Sequence, residues 1–555
     1  MSWVPAPPPA CLHDLILRQS GADEERLALV EAASPHPGLH YGELAQAVDR
    51  VRSGLQGLGL QRADRVAVYL DKRAEAVVGA FAATAAGGVL VPINPALKAP
   101  QVLYVLRDAQ ARVLVTSAAR WQTLSNEMTA QASAVVASLQ AVVLVDAQAS
   151  PPLQDFGPRG LAHIAWSELL HAPGRARPRV IDSDLAAILY TSGSTGLPKG
   201  VMLSHRNLVV GARSVVAYLH NGPDDVLLAA LPLSFDAGFS QLTTAFTAGA
   251  RVVLLNHLLP QDVPRALAEH GVTGLTAVPP LYHQVAQWAN TAHPGPEAVQ
   301  AHGQLRYFAS TGGPMPAATL RTFRRCWPQA QPFLMYGLTE AFRSTVLPPS
   351  EVDRRPGSIG KAIPNVEVLV LDEQGCECPP DVPGELVHRG PLVAMGYWGD
   401  AARTAQRFRP LPPGVAGRLP EQVLPEWVVY SGDRVRRDAD GFLYHLGRFD
   451  EMIKTSGYRV SPAEVEPALL GAPGVDECVV FGQADEALGQ RIVAVVAGSG
   501  TAADDEARTQ ALLRHCRQQL PAYLVPARVV WHGAVLPRNA NGKLDRAGLK
   551  AQYTP

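Results

Sequence analysis

Between positions 190 and 200 the chain reads Tyr190-Thr-Ser-Gly-Ser-Thr-Gly-Leu-Pro-Lys-Gly200, small hydroxyl residues alternating with glycine, with an apolar run on either side. Leu185-Ala-Ala-Ile-Leu189 reads as a buried strand and Val201-Met-Leu-Ser204 as a second, so the segment is a loop clamped between paired strands rather than a linker. Pro198 prevents a helix from forming across it. Backbone N–H groups and the hydroxyls of Thr191, Ser192, Ser194 and Thr195 can converge there on anionic oxygens, which suits a polyphosphate. A Walker A loop needs Gly-Lys-Ser/Thr opening a helix; Lys199 is followed by Gly200, and that motif is excluded.

The surroundings of this loop alternate in the same style. A helix near Leu44 to Leu55, strand Arg65 to Tyr69, helix Lys72 to Ala86, strand Val89 to Ile93, helix Gln101 to Asp108 and strand Ala111 to Val115 precede it. Strands Val226 to Ala230, Arg251 to Leu255 and Thr273 to Ala277 follow, between helical windows. This pitch predicts layered α/β halves with mostly parallel sheets, alike in layout but without a sequence repeat. From Gly360 to about Gly441 the texture changes to short β-rich runs, Val366 to Leu371 and Gly384 to His388, divided by glycine and proline turns. The last region carries a helix over Pro462 to Leu470, strands Glu477 to Phe481 and Arg491 to Val496, a helix over Glu506 to Gln519 and strand Arg528 to Trp531. The expected fold class is α/β, with a large layered N-terminal domain over 1–447 and a small α/β domain over 448–555. The first comprises two similar α/β subdomains and a β-rich subdomain at 360–441.

Charge narrows the partners. Lysine plus arginine number 49 against 50 acidic residues, a formal charge of -1, so nothing argues for nucleic acid or an anionic membrane. Ala76 to Ile93 is the most membrane-like stretch, but a Gly-Gly pair and a proline break it, and a buried helix followed by a strand explains it better than a span. Six cysteines in 555 residues make no disulfide framework, Cys376 and Cys378 have no nearby ligands to complete a metal set, and no basic-then-apolar leader opens the chain. A cytoplasmic setting is expected.

Several short segments carry chemistry. Tyr336-Gly-Leu-Thr-Glu340 combines an aromatic face, a hydroxyl and a carboxylate, a set able to stack a purine and hold Mg²⁺ beside phosphate. Tyr430-Ser-Gly-Asp433 reads as a strand ending in an acidic turn, suited to accepting hydrogen bonds from ribose hydroxyls. Arg448 offers rigid donors, and Asp450 at the segment boundary can absorb backbone rotation. Gly457 permits close approach of another backbone or an extended ligand. Lys543 follows an Asn-Gly turn near the end of the chain, and the phosphate site has no evident catalytic cation of its own.

In this order and spacing the segments resemble the adenylate-forming superfamily of acyl-CoA synthetases, luciferases and adenylation domains of nonribosomal peptide synthetases, over nearly the whole chain. The resemblance implies ATP-dependent activation of a small carboxylic acid to an acyl-adenylate, with pyrophosphate release and transfer to a thiol. Either CoA or the phosphopantetheine of a separate acyl or peptidyl carrier protein would supply that thiol. It implies that the loop Thr191, Ser192, Gly193, Ser194, Thr195, Gly196 and Lys199 cradles the β and γ phosphates, and that Tyr336 packs on adenine. Asp433 and Arg448 would hold the ribose, Thr339 and Glu340 would serve phosphate and Mg²⁺, and Lys543 would reach the carboxylate and α-phosphate. The C-terminal domain would be mobile, turning about hinge Asp450 between half-reactions to bring Lys454 and Gly457 to a thiol channel.

Acid selection is expected from Phe235-Asp236 and from the loop containing Gly312 and Gly313. Amino-acid-activating members often carry Phe-Asp, whose carboxylate pairs with the substrate ammonium; equally, Asp236 can cap the following helix. The wording Leu231 to Gln241 also resembles ligases of bacterial exosortase gene clusters. The chain closes soon after the lysine motif without a carrier or condensation domain, from which CoA or a separate carrier is the expected acceptor. A luciferase-like oxygenase would share the fold and first step, but no oxidative pocket is legible. A non-enzymatic scaffold is disfavoured because every ATP-handling segment is present.

Overall fold

The structure, a computed structural model, describes residues 9–128, 137–147, 161–191, 198–292, 304–415, 417, 424–448, 452–498, 505–533, 535–538 and 544–554. Its strands are mostly short and separated by helices, and a helical crossover returns the chain in the same direction, so parallel pairing dominates the two central sheets. The first sheet runs Ala162–Ala165, Ala141–Leu144, Ala111–Thr116, Arg65–Tyr69, Val89–Pro92, Leu185–Thr191 and Lys199–Ser204. Neighbours are parallel except the last two, the antiparallel hairpin that carries the glycine-rich loop.

The second sheet has a parallel core, Leu27–Glu31, Arg251–Leu254, Val226–Ala229, Gly274–Ala277, Tyr307–Ser310 and Gln331–Tyr336. It then turns antiparallel through Thr345–Leu347 and Ser358–Ala362 into Leu443–Arg448, Trp427–Arg437, Gly384–Arg389 and Glu367–Leu371. The β-rich region is therefore an extension of this sheet and reaches Arg448, past the expected end near Gly441. Ser358–Ala362 joins the two parts because it pairs on both edges, with Thr345–Leu347 and with Leu443–Arg448.

Helices Tyr41–Gly57, Ala74–Ala85, His205–Leu219 and Asp236–Ala248 lie between the two sheets and share one core with both, Val66 and Leu90 from the first and Leu227 and Val252 from the second. Phe81 stacks on Phe239 at 6.0 Å and meets Phe246 edge-on at 5.4 Å. Residues Ala76 to Ala85 are all buried, so the membrane-like stretch is an internal helix followed by strand Val89–Pro92. Among the described residues no helix is long and apolar enough to cross a membrane.

In the last region strand Glu477–Asp485 alternates its faces. Cys478 and Val480 pack under Pro462–Leu470 and Asp505–Gln519, while Val479 and Phe481 face Leu549 of helix Arg546–Tyr553. Hairpin Ile453–Thr455 and Tyr458–Val460 stands at the edge of this sheet and projects toward the larger unit.

Candidate active site

Lys199 opens the strand after the loop, and Glu340 sits in the short turn Thr339–Ala341 that follows strand Gln331–Tyr336. Lys199 Nζ lies 2.9 Å from Glu340 Oε1 and donates to the Tyr397 hydroxyl at 2.7 Å, while that hydroxyl donates to the same carboxylate oxygen at 2.8 Å. Burial pushes the Glu340 carboxyl upward, but the charges of Lys199 and Arg459 and the hydrogen bonds from Lys199 and Tyr397 together hold it well below the usual carboxylate range. Burial pulls the Lys199 ammonium down to about 8, against the attraction of Glu340. The other oxygen, Oε2, is buried without a hydrogen-bond partner among the described residues and faces Arg459 Nη1 at 3.8 Å. Thr191, at the mouth of the loop, likewise has a buried hydroxyl without a partner among those residues.

A second cluster centres on Asp433. Strands Trp427–Arg437 and Leu443–Arg448 pair with Asp433 opposite Arg448, and Arg448 Nη1 donates to Asp433 Oδ1 at 2.7 Å. His445 Nε2 lies 3.2 Å from that oxygen, and the Tyr336 hydroxyl donates to Oδ2. Burial opposes ionisation of Asp433, yet His445, Lys454, Arg448 and Tyr336 outweigh it and hold the carboxyl far below its ordinary value. The expectation that Asp433 ends a strand in a turn is corrected: the strand continues to Arg437. Gly432, at φ +73°, absorbs a local irregularity without ending the pairing. Lys454 Nζ sits 5.6 Å above the Tyr336 ring, which His388 stacks from within.

A cavity of about 220 Å³ opens beside both clusters, and Asp236, Thr311, Gly312, Thr339 and Arg343 form part of its wall. Phe235 is the residue preceding helix Asp236–Ala248, and Asp236 is its first residue rather than its cap. Asp236 Oδ1 accepts the Ala237 N–H at 2.6 Å, and Thr339 Oγ1 reaches Oδ2 at 3.5 Å, so the side chain supports the helix start and also faces the cavity. Burial raises its carboxyl above the ordinary range despite the positive charge of Arg343.

The hairpin of the last region closes one side. Tyr458 meets Phe235 edge-on at 4.8 Å and stacks on Tyr523 at 3.6 Å. Gly457, at φ +81°, packs so closely that a Cβ there would stand 2.7 Å from Val278 Cγ1. A second cavity, about 580 Å³, runs between Gly312, Gly313 and Pro314 on one side and Phe481 and Gln490 on the other. Lys454, Gly457 and Gly312 border both spaces.

The structure thus brings together Thr191, Phe235, Asp236, Gly312, Thr339, Lys454 and Gly457 around one cavity. Lys199 and Tyr336 stand beside it with their partners Glu340 and Asp433, and Gly313 and Arg448 line the second cavity. Ser192, Gly193, Ser194, Thr195, Gly196, Asp450 and Lys543 lie outside the described residues. Sequence reasoning missed Tyr397, Arg343, Arg459 and His445. Arg343, Arg459 and His445 lie within a few residues of segments already marked, whereas Tyr397 does not, and only the fold brings its hydroxyl to Glu340. All six cysteines are free, and among the described residues no group of three or more His, Cys, Asp or Glu could hold a metal.

A loop-bearing α/β unit, a buried carboxylate held by a lysine, and a small unit docked over a shared cavity define an adenylate-forming ligase. The sequence matches the AMP-binding enzyme family over residues 17–398 and the AMP-binding enzyme C-terminal domain over residues 464–543. The chain belongs to that family. It is 33% identical over 538 residues to an L-proline–[L-prolyl-carrier protein] ligase of Streptomyces coelicolor, covering 93% of each chain. It is 30% identical over 548 residues to a linear gramicidin synthase of Brevibacillus parabrevis, where 98% of this chain spans 10% of that protein's length. Among solved structures, a double mutant of o-succinylbenzoate CoA synthetase from Bacillus subtilis, bound with its product analogue, superimposes with a TM-score of 0.74. That match has 26% identity and covers 97% of this chain and 98% of that one.

Proposed function

We propose that this enzyme activates a carboxylic acid carrying an amine and passes the acyl group to a pantetheine thiol, that of CoA or of a separate carrier protein. Asp236 carries the reading. Its carboxylate lines the cavity wall, burial raises it above its ordinary range, and no ion pair among the described residues meets it. A substrate ammonium would lower that cost by supplying the missing countercharge. The L-prolyl-carrier relative supports the same class.

In the first half-reaction a substrate carboxylate oxygen bonds to the α-phosphorus of ATP as the bond to pyrophosphate breaks. In the second, a thiolate bonds to the acyl carbon and AMP departs. Thr191 and Lys199, with the loop from Ser192 to Gly196, would bind the β and γ phosphates. Tyr336, Asp433 and Arg448 would orient the nucleoside, Asp433 Oδ2 keeping a lone pair free for one further hydrogen bond beside that from Tyr336. Lys543 would reach the reacting oxygens, and Asp450 would turn the small unit between steps. Glu340 Oε2, a buried carboxylate oxygen beside Thr339 with no hydrogen-bond partner among the described residues, fits a Mg²⁺ ion that also takes phosphate and water ligands. Such an ion supplies charge neutralisation on the phosphates. The second cavity, bordered by Lys454 and Gly457, is the proposed thiol channel.

The test is acid-dependent pyrophosphate exchange across amino, fatty and aryl acids, followed by thioester formation with CoA and, separately, with a phosphopantetheinylated carrier. Asp236→Ala should lose preference for the amine-bearing acid by about tenfold or more. Exchange that favours acids lacking an amine in the unmodified enzyme would refute the reading.

A further inference from the structure

Arg343 is a buried cation on the wall of the acid cavity. It is 3% exposed, its Nε is buried without a hydrogen-bond partner among the described residues, and none of those residues forms an ion pair with its guanidinium. It follows the turn that carries Thr339 and Glu340, after Phe342 at φ +52°, and lines the 220 Å³ cavity. It also lines a small recess behind Ala237, among Ser240, Thr244 and Thr276. Thr244 Oγ1 is a second buried polar atom there without a partner among the described residues. An arginine held this way is costly unless something anionic meets it. Asp236 lies near enough to feel its charge but forms no ion pair with it, so the two stand as separate opposite charges on one wall.

The geometry points to a substrate with a second anionic group: an amino acid whose short side chain ends in a carboxylate or an isosteric anion, received by Arg343 while Asp236 receives the ammonium. This rests on the reading of Asp236 given above and extends it to the substrate's side chain. A planar guanidinium with five donors suits a carboxylate in two-point contact. The recess itself holds only about 10 Å³, so the substrate anion would meet Arg343 from the 220 Å³ cavity that the same residue lines.

The experiment measures pyrophosphate exchange with aspartate, glutamate, their side-chain amides, and the matching dicarboxylic acids without an amine. The unmodified enzyme should favour an acidic amino acid over its amide, and Arg343→Met should reduce the acid-to-amide ratio of kcat/KM by about tenfold to a hundredfold. Arg343→Lys, which keeps the charge, should retain part of the ratio, and thermal unfolding of each variant establishes that it folds. If the unmodified enzyme prefers the amide or a neutral amino acid, or if the ratio survives in Arg343→Met, the assignment is overturned. Preference for the dicarboxylic acids without an amine would leave Arg343 standing and remove the Asp236 reading, so the two fail separately.

Discussion

Arg459 offers the sharpest perturbation, because it is a residue of the small unit that touches the central carboxylate of the large one. Its Nη1 lies 3.8 Å from Glu340 Oε2, and the two side chains are 20% and 4% exposed. At that distance and an effective dielectric of about 20, the attraction is about 4 kcal/mol before desolvation. Desolvation and side-chain ordering take back part of it and leave roughly 1.5–2.7 kcal/mol, about tenfold to a hundredfold in occupancy of the docked arrangement. Under the proposed cycle this arrangement serves thiol transfer, since Lys454 and Gly457 border both cavities in it. Arg459→Met should therefore depress thioester formation from supplied acyl-adenylate about tenfold to a hundredfold more than it depresses pyrophosphate exchange. Arg459→Lys should fall between. The assay is rapid-quench measurement of the two half-reactions on the same preparation. Equal losses in both, or a larger loss in pyrophosphate exchange, would refute the electrostatic latch.

Gly457→Ala should act in the same direction through shape. The new Cβ would clash with Val278, and φ +81° costs an L-residue roughly 1–2 kcal/mol, so thioester formation should fall more than exchange, and proteolysis between the units should accelerate. Acid should loosen the N-terminal segment. His205 is buried, its Nδ1 accepts the Leu12 N–H at 2.9 Å, and burial lowers it to about 3. Its folded value lies below the unfolded one, so the unfolded state binds more protons and stability falls as pH drops below about 6.5. By pH ~5 the loss from His205 alone is about 2 kcal/mol, which urea unfolding at pH ~7 and ~5 measures; His205→Gln should remove that share, and His13 beside it, lowered by burial to about 4, should keep a further part.

Much of the frame was legible because its periodicity is local. Strands Arg65–Tyr69 and Arg528–Trp531 and helix Pro462–Leu470 coincide with the sequence reading, since each is bounded by turn residues or a proline. Strands Ala141–Leu144 and Ala162–Ala165 were missed. The second, Ala162-His-Ile-Ala165, is half-exposed over three residues and carries little apolar signal. The site divides the same way. Tyr336, Thr339 and Glu340 fall within five residues and could be read together, whereas the contact of Asp433 with Arg448 depends on strand register across an irregularity at Arg434 and Val435. Arg343 and Arg459 become informative only when the fold shows what they face, one an anion-free recess and the other Glu340.

The junction between the two cavities is bounded by Gly312, by Gly457 and by Lys454, whose ammonium is engaged over Tyr336. Two of its three sides are bare main chain, so among the three only the Lys454 side chain can move to widen or narrow it. The main-chain part of its bore is a property of how the two bodies seat, and Lys454, lifted off Tyr336, is the one bordering side chain that can yield to a slender arm.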